Sequence, residues 1–135
     1  MNSINRMLLA LLILLGTGNS IIANDALNNE LTNAIILGKG ITKVQELIDA
    51  GADVNTQIEG SNEKWTPLIA ITLANYDGIT EDEREAIARA LIEAGADINA
   101  QYISDRPDMN NKTALELAQE HNKTGVIKVL EKQKL

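Results

Sequence analysis

From Leu8 to Leu15 the chain reads LLALLILL with no polar interruption. Beyond that block the apolar positions fall into short helical runs. Two of these runs close on near-copies of one phrase, LIDAGADVNTQ from Leu47 to Gln57 and LIEAGADINAQ from Leu91 to Gln101. In both copies a helix ends at Ala-Gly-Ala-Asp, and Gly51 and Gly95 stand where a helix takes a left-handed residue just past its last turn. Val54 or Ile98 and then Asn55 or Asn99 follow, the Asn suiting a turn. Helix starts fall between these stops. Thr66-Pro67 puts a hydroxyl at the cap and Pro at the first helical position, where its missing N–H costs nothing. Thr42 with Gln45, Thr80 with Glu83 and Thr113 with Glu116 each fit a capping box. The pattern predicts paired helices separated by turns.

The apolar block is an address rather than part of that pattern. Arg6 precedes it and the small, polar run Gly16 to Ser20 follows, the layout of a secretory signal peptide. It is too short to span a bilayer, which needs about 20 apolar residues. An amino-terminal amphipathic helix is the rival reading, but the block has no polar face to turn to water. Residues 1–23 are therefore expected to be a leader cleaved after Ala23, or after Ser20. Residues 24–135 would form the exported domain, periplasmic or secreted and free of the membrane after cleavage. The leader carries Arg6 and no acid, so its loss moves the net charge from -7 to -8.

Composition narrows the fold and the partners. Length permits a single domain. Trp65, Tyr76 and Tyr102 are the only aromatic residues and Ala, Leu and Ile dominate, which favours helices over a sandwich or barrel. No cysteine is present, excluding disulfides, thiolate metal sites and a cysteine nucleophile together. Twelve basic against nineteen acidic residues repel a phosphate backbone, so nucleic acid is excluded as a partner, whereas a basic protein surface would be drawn in.

The phrases TPL at Thr66 to Leu68, TAL at Thr113 to Leu115, GADVN and GADIN resemble the ankyrin repeat family. The resemblance covers nearly all of residues 24–135 and implies an all-α, ankyrin-repeat solenoid of about three helix-turn-helix units, each followed by a projecting hairpin loop. Unit one would run from about Asp25 to Gln57, with Leu31, Ala34 and Gly38 on the inner helix and Val44, Leu47 and Ile48 on the outer. Unit two would run from about Trp65 to Gln101, and unit three from about Lys112. Unit three lacks the closing phrase, as a capping unit would. Some positions depart from the family. The His that follows Thr-Pro-Leu is replaced by Thr32, Ile69 and Glu116. Unit two carries extra residues around Tyr76 to Arg84, and the loops after Gln57 and Gln101 are long.

Candidate chemistry is sparse. His121 is the only histidine, and with no cysteine beside it a metal cluster or nucleophile-base pair cannot be assembled. Glu81, Asp82, Glu83 and Glu85 read as a helix first turn favoured by the dipole rather than as catalytic carboxylates. Asp105, Asp108 and Asn110 have the wrong spacing for a calcium loop. Asn111-Lys112-Thr113 and Asn122-Lys123-Thr124 are formal glycosylation sequons of low specificity. No cofactor or metal is expected.

The resemblance implies that a partner sits on the loop tips and the exposed face of the inner helices. Trp65 is the foremost candidate there, as an interface anchor or as a plug between neighbouring loops. Ile36, Leu37, Leu73 and Ala74 occupy inner-helix positions that are commonly polar, so they would form an apolar strip. The segment from Tyr76 to Ile79 could lie over that strip instead. Tyr102, Asp105, Arg106 and Asp108 belong to the long loop after unit two. The expected function is an exported, monomeric, non-catalytic module that binds a protein, in its sharper form an inhibitor or immunity protein. The alternatives are a carboxylate-dependent hydrolase and a structural accessory held at the membrane by an uncleaved leader.

Overall fold

The computed structural model describes residues 20–134, and the side chains of 23–134. The expected leader lies outside the described residues as far as residue 19. The first described helix, α1 (Ser20–Ile36), runs through Ala23. It is followed by α2 (Gly40–Asp49), a hairpin of β1 (Ile58–Glu59) and β2 (Lys64–Trp65), α3 (Pro67–Leu73) and α4 (Glu81–Glu93). A second hairpin of β3 (Gln101–Tyr102) and β4 (Lys112–Thr113) leads to α5 (Ala114–Glu120) and α6 (Thr124–Lys132). The chain is mostly helical, and the all-α expectation omits only these short strands.

The described helices form three antiparallel pairs. Helices α1, α3 and α5 pack side by side in one layer, and α2, α4 and α6 do so in the other. Between the layers Leu31, Leu68, Ile87, Leu91, Leu117 and Val126 are fully buried, each such side chain contributing about 1.5–3 kcal/mol.

The repeated phrase does the same work in both places. Gly51 has φ 101° and Gly95 has φ 99°, a conformation that costs a side chain strain but costs Gly none. The Gly51 N–H donates to the Ile48 carbonyl and the Ala52 N–H to Leu47, both at 3.0 Å; Gly95 and Ala96 repeat this with Ile92 and Leu91. These bonds satisfy carbonyls that a helix end otherwise leaves open. The same closure ends α1 at Gly38 and α5 at Asn122, whose φ of 55° makes it the non-glycine version. Gly38, expected on the inner helix, is therefore a turn residue.

Starts agree at three of the four expected caps. Thr66 and Thr80 accept from the Ile69 and Glu83 amides, and Thr113 with Glu116 forms a complete capping box. Thr42 does not cap: α2 begins two residues earlier, and Gln45 bonds instead to Asp49. The residues standing where the family carries His have separate roles. Thr32 donates to the Asn28 carbonyl, Ile69 is buried, and Glu116 closes its capping box.

Side-chain amides brace the turns, the first within its own helix pair and the second across to the next pair. Asn28 Oδ1 accepts the Asp53 N–H at 2.7 Å, and Asn55 Oδ1 accepts the Asp97 N–H at 2.7 Å. A network around the buried Arg84 joins the far side. Arg84 donates from Nε to Glu81 and from Nη1 to the Ile71 carbonyl at the end of α3. Glu81 Oε2 in turn accepts the Gly125 N–H at the start of α6, at 2.8 Å. Gly125 is required there, because a Cβ would overlap the Glu81 backbone.

Candidate functional site

The two hairpins stand beside the inner helices and join each other. The Lys64 N–H donates to the Ile103 carbonyl at 2.9 Å and the Ile103 N–H returns to Lys64 at 3.0 Å. Between this edge and the carboxyl ends of α1 and α3 lies a groove of about 340 Å³. Ile36, Trp65, Leu73, Ala74, Tyr76 and Tyr102 line it, with Glu63 as its carboxylate.

Trp65 is half-buried on β2, and its ring meets Tyr102 edge-on, with centroids 6.3 Å apart and planes at 70°. Such pairs add about 0.5–1.5 kcal/mol beyond burial. Trp65 thus bridges neighbouring hairpins while one face of it borders the groove. Tyr102 is only 4% exposed, so it is a wall of the groove rather than an exposed loop-tip residue. Burial pushes the Tyr102 hydroxyl pKa up, and the neighbouring Glu63 carboxylate adds to the rise.

Ile36 is exposed at the groove's edge, and Leu73 and Ala74 are half-buried in its floor. Leu37 is 63% exposed but does not line the groove. The segment after α3 folds back at one end only. The Tyr76 ring lies so close over Gly38 that a Cβ there would come within 2.5 Å of it. The Tyr76 hydroxyl is buried with no hydrogen-bond partner. Burial, and then the Glu83 charge, push its pKa up, against the opposing Arg84 charge. This insertion ends at Thr80, since Glu81 to Arg84 already form the first turn of α4.

Arg106 lies beyond the groove, in a second pocket of about 290 Å³ that shares Leu73, Asn75 and Tyr102 with the first. Met109, His121 and Lys123 complete it. Arg106 pairs with Asp108, both well exposed, at 3.0 Å. The loop from Tyr102 to Asn111 closes on itself: the Ser104 N–H donates to Asn110 Oδ1, the Arg106 N–H to Ser104 Oγ, and the Asn111 N–H to the Tyr102 carbonyl. Asn62 Nδ2 ties it to the first hairpin through Asp105. Lys123 escaped the sequence reading. It sits one residue after the left-handed Asn122, and its ammonium donates to Asn75 Oδ1 at 2.6 Å across to the other pair; no local pattern marks such a reach.

Among the described residues no group of three or more His, Asp and Glu side chains could hold a metal ion, and no helix is long and apolar enough to cross a membrane. Compared with known families and curated proteins, the chain matches no family model and no curated sequence.

Proposed function

We propose that the chain is an exported, ankyrin-like repeat domain without catalytic chemistry, which holds a protein partner in the groove between its hairpins and inner helices. The observation that carries this reading is the groove itself, where Ile36, Trp65, Leu73 and Tyr76 meet in an open, mainly apolar depression. A concave, mainly apolar depression with a few polar groups is the usual form of a binding site, and Trp and Tyr are among the residue types that dominate interface energetics. The three helix pairs, the two glycine-closed phrases and the joined hairpins support the family resemblance. The net charge of -7 adds a long-range pull on a partner with a basic surface. An inhibitor or immunity role suits a small domain of this shape.

Affinity capture with the exported protein tests the reading. Trp65→Ala and Leu73→Asp, each verified as folded by circular dichroism, are expected to lose partners that the wild type retains. Identical captured sets from all three proteins would show that the wrong face has been chosen.

A further inference from the structure

The second pocket changes what the groove can recognise, and this inference rests on the groove being the binding face. The pocket continues directly from the apolar depression through their shared walls, Leu73, Asn75 and Tyr102. Its own lining brings Arg106, His121 and Lys123 together in a chain whose net charge is -7. Compensation of the Arg106 and Lys123 charges is incomplete. Asp108 pairs with Arg106, but Lys123 is in no ion pair among the described residues, and its hydrogen-bond acceptor is the neutral Asn75 amide. Burial, and then the nearby Arg84 charge, depress the Lys123 pKa, although the Glu81 charge opposes the effect. A half-buried ammonium held by an amide and repelled by a second cation favours an incoming carboxylate, which a charge-assisted hydrogen bond would satisfy.

We propose that this second pocket is a carboxylate subsite, and that the composite face takes a segment of a partner protein in which Asp or Glu directly adjoins a large apolar residue. The apolar side chain enters between Trp65 and Leu73, and the carboxylate meets Lys123, with Arg106 and His121 beside it. A basic partner surface and a local acidic contact are compatible. Net charge acts on approach, over a distance set by ionic screening, whereas the subsite acts only at contact.

A phage-displayed random-peptide library, panned in parallel on the full wild-type chain, Lys123→Gln and Trp65→Ala, tests this. Circular dichroism melts establish that each variant is folded. Wild type should enrich clones in which Asp or Glu adjoins an apolar residue. Lys123→Gln should keep the apolar preference and lose the acidic one, and it should weaken a selected synthetic peptide by about tenfold. Apolar enrichment without an acidic neighbour, or acidic enrichment that survives Lys123→Gln, overturns the subsite and leaves the groove standing. Absence of any enrichment, or enrichment unaffected by Trp65→Ala, overturns the groove as well.

Discussion

Asn55 grips the next unit's phrase with both ends of its amide: Oδ1 accepts the Asp97 N–H at 2.7 Å, and Nδ2 donates to the Gly95 carbonyl at 3.0 Å. Two bonds across a gap of about forty residues fasten one turn to the next. Asn99, the matching residue of the second phrase, serves its own turn through its backbone N–H, which donates to Asp97 Oδ1. Asn55→Ala should therefore cost about 1–2 kcal/mol, and Asn99→Ala about 0.5 kcal/mol or less. Urea denaturation of the two variants measures the difference, and equal losses would refute the bridging role.

Gly125 faces the Glu81 backbone so closely that no side chain fits. Alanine is the better helix former by about 1 kcal/mol, yet Gly125→Ala should lower stability by roughly 2–4 kcal/mol, because α4 and α6 must move apart. A thermal midpoint equal to or above that of the wild type would contradict the close approach.

Burial pushes the Glu81 carboxyl up, but the Gly125 N–H, the Arg84 guanidinium and the Lys123 charge outweigh it and hold the pKa below the ordinary 4.5. A carboxyl depressed in the folded state stabilises it fully above the ordinary value and loses that contribution as pH falls toward the folded value. Glu81→Gln should accordingly be less stable than wild type at neutral pH, with the gap narrowing below about pH 4.5. A gap that stays constant on acidification would exclude the linkage.

The Tyr76 hydroxyl is buried with no partner. Leaving a polar group unpaired costs about 1–3 kcal/mol, so Tyr76→Phe should leave stability unchanged or raise it by about 1 kcal/mol. The variant keeps the ring over Gly38, which confines the change to one oxygen. Clear destabilisation in chemical denaturation would mean that the hydroxyl has a partner in solution.

Signals confined to a few consecutive residues were legible in the sequence. Gly51 and Gly95 mark helix ends because a positive φ has a residue preference, and Thr66, Thr80 and Thr113 mark starts because a hydroxyl must reach an amide three residues on. Thr42 offered the same spacing and failed, since Gly40 already opens α2 and leaves the Thr42 hydroxyl inside the helix. Of the site, Ile36 and Leu73 could be named because apolar residues stood where the resemblance implies polar ones, Trp65 because it is the lone Trp directly before Thr66, and Tyr76 because it falls in the extra residues of unit two. Tyr102 was placed on the long loop, but not as a buried wall of the groove. Its burial depends on the edge contact with Trp65 and on the closed loop above it, neither of which its neighbours in sequence disclose. The Lys123 bond to Asn75 and the Glu81 bond to Gly125 were invisible for the same reason, being contacts between pairs rather than within them.

The exchange of hydrogen bonds between Lys64 and Ile103 fastens the two hairpins into a single ribbon along the groove's edge. A ligand entering there meets a lip that is already shaped, so most of the ordering entropy of association falls on the ligand. Rival ligands of this face would then arrive at similar rates and differ mainly in how long they stay.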